Sequence, residues 1–281
     1  MKNISITILS ENRVENPLLI AEQGLSLFIS IDNSYHLLFD TGQGSALLHN
    51  AKQLKIDLSN VNNIVISHGH YDHGNGLIPY LKTYHKANLV VHPFYFNKKY
   101  VLKKSNKHFI GVNYGKEELE QLGASIEFHN NPYFLTDEAI FSGEIKRITD
   151  FEKISANYVE RVLESDINDQ IKDDASIYIK TPEGLIILVG CAHSGVINTI
   201  KHAIRISGEK RVFMVMGGMH LRNQDKDIIE KTAKFMADLD PQYIIPLHCT
   251  GFEAIKMFRQ YLGEKKVLLK NVGDTLKFEF E

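Results

Sequence analysis

Ser67-His68-Gly69-His70-Tyr71-Asp72-His73-Gly74-Asn75-Gly76 follows directly on the apolar run Val61-Asn62-Asn63-Ile64-Val65-Ile66. Three histidines and one aspartate fall within positions 68 to 73. A strand ending in this pattern delivers several nitrogen and oxygen donors to one small volume, the ligand set a borderline metal such as zinc or iron requires. The flanking glycines let the backbone turn without a Cβ penalty. The chain has 13 histidines, so a His-rich surface loop is the bland alternative. Four metal-competent side chains packed this closely argue for a metal site instead.

On the N-terminal side of this stretch, Ile4, Ile6 and Ile8 alternate with polar residues, as in a half-buried strand. Residues 25–31 and 35–39 read as a hairpin closed by Asp32-Asn33-Ser34. Asp40-Thr41-Gly42-Gln43-Gly44 interrupts the pattern, and 46–54 has helical spacing. On the C-terminal side, 76–84 reads as a short helix and 88–92 as a strand. Between 93 and 173 the periodicity loosens into scattered aromatics, the basic run Lys103-Lys104-Ser105-Asn106-Lys107-His108 and one helix near 117–122. This segment reads as an insert between two halves of a core, placed to cover a site, with the lysines as a solvated face.

Regularity returns with strands at 176–180 and 185–189 around the turn Thr181-Pro182-Glu183-Gly184, ending in Gly190-Cys191-Ala192-His193. A helix at 196–206 and a strand at 212–216 lead to Gly217-Gly218-Met219-His220. An amphipathic helix at 225–239 and a strand at 243–247 lead to His248-Cys249-Thr250-Gly251. A helix at 251–262 and strands at 266–270 and 275–280 close the chain. Two β-rich halves, each carrying helices, imply one α/β domain over residues 1–281 with sheets in the middle and helices outside. Ligands at strand ends of both halves then meet in one cleft.

Composition bounds the function. A chain of 281 residues, 43% hydrophobic and 23% charged, is ordinary for a globular protein. The formal net charge of -2 gives no global electrostatic case for nucleic acid or an anionic membrane. Two cysteines offer no disulfide framework and suit a reducing cytoplasm. The first residues alternate as a strand does, unlike a signal peptide, and no apolar run approaches the ~20 residues of a membrane helix. The expected partner is a small molecule in the cytoplasm, and a homo-oligomer is compatible with the composition.

His193, His220 and His248 each fall at a strand end beside glycine or cysteine. A lone histidine there is more often a hydrogen-bonded structural residue. Three of them, added to the four-donor cluster, shift the balance. A two-metal centre takes about six or seven ligands; His68, His70, Asp72 and His73 supply four, and His193 and His248 are the best candidates for the rest.

His68-Gly69-His70-Tyr71-Asp72-His73 resembles the H-x-H-x-D-H motif of the metallo-β-lactamase superfamily, and Asp40-Thr41-Gly42 its strand-end D-T-G. Gly143-Glu144-Ile145-Lys146-Arg147, Gly190-Cys191-Ala192-His193, Gly217-Gly218-Met219-His220-Leu221 and Leu247-His248-Cys249-Thr250-Gly251 are similar to one branch. That branch is the dihydropterin-ribofuranosylaminobenzene-phosphate-synthase-like metal-dependent hydrolases. The resemblance implies a four-layer αββα fold, two mixed β-sheets packed face to face with helices outside, and one or two divalent metals, zinc first and manganese or iron as alternatives. It implies that His68 and His70 hold the first metal, and that Asp72, His73 and His248 hold the second. Asp40 would orient a metal-site histidine.

The sequence departs from the superfamily pattern in the second half. Cys191 stands about where a bridging aspartate is usual, and no histidine precedes the strand in Asp173-Asp174-Ala175-Ser176. His193 then takes the place of the missing first-metal ligand, with Asp174 or Cys191 as lesser candidates. Cys191 is either a thiolate ligand of the second metal or a buried, inert thiol. His220 binds substrate, donates a proton or orients a ligand, in preference to ligating. Glu144 and Arg147 are further pocket candidates; the Arg147 guanidinium suits a phosphate or carboxylate, against an ordinary salt bridge.

The implied activity is hydrolysis of a small anionic metabolite, first a phosphate ester, by metal-activated water. Asp72 would orient or receive a proton, and His220 would assist the leaving group. The alternatives are a di-iron oxidoreductase, which needs an electron partner, and a metal-containing regulatory protein with little turnover.

Overall fold

The computed structural model describes residues 1–104 and 106–280. β1 (Asn3–Ser10), β2 (Ser26–Ile31) and β3 (Tyr35–Phe39) form an antiparallel meander. α1 (Leu47–Gln53) then crosses to β4 (Asn63–Val65), parallel to β3. α2 (Tyr71–Gly74) and α3 (Leu77–Tyr84) lead to β5 (Ala87–Val91), parallel to β4. The next segment runs β6 (Lys98–Lys103), β7 (Asn106–Phe109), α4 (Lys116–Gln121), β8 (Ala124–Phe128), β9 (Tyr133–Phe134), β10 (Ala139–Phe141), β11 (Tyr158–Val162) and β12 (Ser165–Asn168). The second half repeats the first half's logic: the hairpin β13 (Ser176–Thr181) and β14 (Gly184–Val189), then α5 (Val196–Ser207), β15 (Val212–Gly218), α6 (Lys226–Leu239), β16 (Tyr243–Leu247), α7 (Phe252–Leu262) and β17 (Thr275–Glu279). β14, β15 and β16 are parallel to one another.

One sheet has the order β17-β1-β2-β3-β4-β5-β8 and the other β16-β15-β14-β13-β10-β9. Side chains alternate across a strand, so each strand serves two layers. Ile186 and Leu188 of β14 join Ile6, Ile29, Leu37, Phe39 and Val65 in the core between the sheets. Leu185, Ile187 and Val189 face the other way, into a cluster with Val196 and Ile200 of α5, Ala233 and Met236 of α6 and Phe258 of α7. Leu38, Ile64 and Leu89 likewise pack on α1, α3 and α4 through Leu47, Leu77, Leu81 and Leu119. The result is four layers, αββα.

The segment at 93–173 is more than an insert. β8 extends the first sheet, β9 and β10 extend the second, and β6, β7, β11 and β12 form a separate sheet in the order β12-β11-β6-β7. β7 and β12 are exposed at every residue, so no buried face imposes a period-2 pattern on them. Of the basic run, Lys103 and Lys104 face solvent, and Lys107 pairs with Asp166 and lies 3.8 Å above the Tyr100 ring. Ser105 lies outside the described residues. Residues 266–270 form no strand; they touch the second sheet at a single bridge between Ile244 and Val267. Two backbone hydrogen bonds make this contact, Ile244 N to Lys266 O and Leu268 N to Ile244 O. No helix among the described residues is long and apolar enough to cross a membrane.

Candidate metal centre

Parallel strands bring their carboxyl ends to one edge of a sheet, where ligands collect. Here β3 leads to Asp40, β4 to Ser67 and His68, β14 to Cys191 and His193, β15 to His220 and β16 to His248. Asp40, Ala192, His220 and His248 all take left-handed backbone angles, with φ of 59°, 49°, 48° and 48°. Each costs on the order of 1 kcal/mol for a non-glycine residue, and such strain gathers where side-chain placement matters.

His68, His70, Asp72, His73, His193 and His248 are all buried. His68, His70 and His193 bring donor atoms within 4.8 Å of one another, as do Asp72, His73 and His248. The Nε2 atoms of His68, His70 and His193 are buried without a hydrogen-bond partner. An unpaired buried nitrogen costs about 1–3 kcal/mol, so three converging ones are a fit for a cation. Burial first, then neighbouring imidazoles, holds His68 and His193 well below the ordinary histidine range. Burial, with Lys99 acting the same way, brings His70 down to about 3. All three are therefore neutral near pH 7, the form that donates a lone pair to a metal.

The second set is poised differently. His73 Nδ1 lies 2.6 Å from Asp40 Oδ2. Burial opposes charge on His73, but Asp40 and Asp72 outweigh it and raise His73 to about 9. A site that favours positive charge on this ring is one where a metal can replace the proton. Asp40 also accepts from Ser67 N at 2.7 Å and Ser67 Oγ at 2.8 Å. His248 Nε2 lies 3.5 Å from Asp72 Oδ2, and its Nδ1 2.7 Å from Asn12 Oδ1. Gln23 Nε2 donates to Asp72 Oδ2 at 3.3 Å.

The remaining residues singled out by sequence divide. Cys191 is buried, with Sγ 3.2 Å from His73 Nε2. His220 Nε2 lies 3.3 Å from Tyr158 Oη, and His220 shares a donor group with Cys191 and His193. Asp174 belongs to no donor group among the described residues; its Oδ2 accepts from Ser194 N at 2.7 Å and burial raises it to about 6. Glu144 faces solvent. Arg147 makes no salt bridge among the described residues; its Nη2 donates to Gln170 O at 2.6 Å.

Other residues at the centre carried no sequence signal. Tyr158, at the start of β11, stacks on His70 at 5.9 Å between ring centroids and meets His193 edge-on at 5.5 Å. Lys99 of β6 is 1% exposed and pairs with Asp173 at 2.8 Å and Asp169 at 3.4 Å. Asp173 in turn accepts from Gly69 N at 2.8 Å, bracing the loop between His68 and His70. Glu11, fully buried after β1, accepts from His248 N at 2.8 Å. Only the polar character of a strand end marked Glu11 and Asn12, which is too common to single them out.

A family model described as the metallo-beta-lactamase superfamily matches residues 19–248. The chain belongs to this superfamily. It is 32% identical to 7,8-dihydropterin-6-methyl-4-(beta-D-ribofuranosyl)-aminobenzene-5'-phosphate synthase of Methanocaldococcus jannaschii, across 98% of this chain and 97% of the relative. The resemblance to that branch therefore holds over nearly the whole length. The crystal structure of Tm1679, described as a metal-dependent hydrolase of the beta-lactamase superfamily, superposes with a TM-score of 0.86 at 26% identity, covering 99% of this chain and 100% of that one. Zinc-bound PqqB from Methylobacterium extorquens shares the fold alone, with a TM-score of 0.56 at 12% identity over 97% and 99% of the two chains. Superfamily members typically bind divalent metals, and the donor groups described above are candidates for that role in this chain.

Proposed function

We propose that this protein is a metal-dependent enzyme that hydrolyses a small phosphate-bearing metabolite. His68, His70 and His193 would hold one divalent ion, and Asp72, His73 and His248 a second, with zinc first and manganese or iron as alternatives. The observation that carries the reading is the convergence of three buried, unpaired Nε2 atoms on one point beside the Asp72, His73 and His248 set. A divalent metal there supplies Lewis acidity and brings the pKa of a water toward ~7. The chain's own groups do the rest. Asp72 offers a carboxylate to receive or orient a proton. His220 and the Tyr158 hydroxyl, 3.3 Å apart, offer a hydrogen-bonded pair to the leaving group or a developing oxyanion. Asp40 and Asn12 fix the rings of His73 and His248 through their second nitrogens.

The phosphate is inferred from the Methanocaldococcus relative, whose name specifies a 5'-phosphate product. The same relative, being a synthase, favours a second reading in which the centre joins a dihydropterin methyl carbon to a phosphorylated aminobenzene riboside, a leaving group departing from that carbon as the new bond forms and the displaced proton passing to solvent. Both readings are tested on metal-depleted protein reloaded in turn with zinc, manganese and iron. Assayed against phosphomonoesters, phosphodiesters and lactones, a metal-restored release of phosphate or acid supports hydrolysis. Turnover confined to dihydropterin and arylamine substrates selects the synthase reading. Activity that persists unchanged after full chelation contradicts both.

A further inference from the structure

Cys191 and Cys249 are the chain's two cysteines, both free, with Sγ atoms 3.3 Å apart. They come from different strand ends, after β14 and β16, and meet inside the histidine cluster rather than in an apolar core. Cys191 belongs to three donor groups: with His68 and His73, with His193 and His220, and with His248 and Cys249. It therefore stands between the two half-sites, where a shared ligand belongs. Cys249 Sγ accepts from His220 N at 3.3 Å. The space it occupies is reserved by a glycine: a Cβ at Gly218 would stand 2.8 Å from Cys249 Sγ and 2.4 Å from Gly190 O. Two thiols filling a gap would do so better among apolar side chains; here they face imidazoles.

We propose that Cys191 and Cys249 are thiolate donors of the metal centre, Cys191 shared between the half-sites and Cys249 on the His248 side. This rests on the metal-centre reading above and adds a soft edge to it. Each thiol would release its proton to solvent as its sulfur takes up the ion. Thiolate selects zinc, iron(II) or cobalt(II) over the oxygen-preferring manganese and magnesium.

Cobalt(II) tests this without reference to turnover. Metal-free protein, kept anaerobic under a phosphine reductant, is titrated with cobalt, and the visible d–d bands and the near-ultraviolet sulfur-to-cobalt charge-transfer band are read together. Both bands are expected in the wild type, with the charge-transfer band weakened to about half in Cys249→Ser and lost in Cys191→Ser/Cys249→Ser. Excess manganese should displace little cobalt. Zinc loading should slow the reaction of both thiols with a disulfide reagent at least ~10-fold relative to metal-free protein. Circular dichroism of the metal-free variants checks that each is folded. Visible bands without the charge-transfer band leave the metal centre standing and overturn the thiolate assignment. A charge-transfer band untouched in Cys249→Ser overturns that residue's part. No cobalt binding at all overturns both the centre and its thiolates.

Discussion

The two halves of the molecule build their shares of the centre by opposite means. The first half concentrates His68, His70, Asp72 and His73 in one loop and one short helix after β4. The second half delivers Cys191 and His193, His220, and His248 and Cys249 from three successive parallel strand ends, spread over some 59 positions of sequence. The first arrangement is local, and its precision depends on outside braces: Asp40 on His73 and Ser67, and the Lys99–Asp173 pair on Gly69. The second is set by sheet register, with one left-handed residue turning the chain after each strand. A metal centre made this way would hold only while both halves stay docked through the core between the sheets.

The largest effects should come from single donors, and they test whether the halves contribute equally. His68→Ala and His193→Ala are each expected to reduce metal retention and turnover by more than the ~10–100-fold typical of an orienting partner, read by metal analysis of dialysed protein. If His193→Ala retains metal as the wild type does, the second half is not supplying the first ion. Next in size is the brace on the first-half loop. Lys99→Met leaves Asp173 and Asp169 buried without their cation, so a loss of about 3–5 kcal/mol in urea unfolding is expected. Lys99→Met/Asp173→Asn should recover part of it, and a loss within the error of the wild type would show that the pair braces nothing.

Asp40→Asn is expected to weaken metal binding about 10–100-fold, because an amide has one acceptor oxygen and cannot serve both Ser67 N, at Oδ1, and His73 Nδ1, at Oδ2, as the carboxylate does. The smallest effect lies in the second half's helical layer, away from the donors. His202 of α5, beside Tyr178 Oη at 3.1 Å, is brought down to about 4 by burial, with Arg205 and Lys146 acting the same way. Its folded pKa is depressed, so the unfolded chain takes up a proton first as pH falls. Stability is therefore lost between about pH 6.5 and pH 4 and levels off below, by on the order of 1–2 kcal/mol after screening by solvent. His202→Gln should flatten that limb of the stability–pH curve; an unchanged limb would place the acid sensitivity elsewhere.

The same contrast explains what could be read from sequence. The four candidate donors of the first half lie within reach of one another along the chain, and Gly190-Cys191-Ala192-His193 and Leu247-His248-Cys249 fall directly after apolar runs that form β14 and β16. Both sheets announce themselves through near-continuous apolar runs, because β3, β4, β5 and β14 each bury two faces in different layers. Tyr158 and Lys99 were invisible for the opposite reason. They sit on the small third sheet, whose outer strands bury nothing, and Lys99 stands between exposed Lys98 and half-buried Tyr100, where nothing in the sequence marks a buried lysine. Glu144 and Arg147 carried a motif resemblance, yet one is exposed and the other bonds a backbone carbonyl. Cys249 needed the partner strand end: nothing in Leu247-His248-Cys249 tells that its sulfur meets Cys191 across 58 residues.

The claim that one centre is assembled from both halves is tested most directly by anomalous diffraction at the zinc edge from a zinc-loaded crystal. A peak about 2.0–2.1 Å from His68, His70 and His193 nitrogens is expected, drawing on β4 and β14 loops together. Zinc confined to the 68–73 loop, with His193 and His248 turned away from it, would contradict the account.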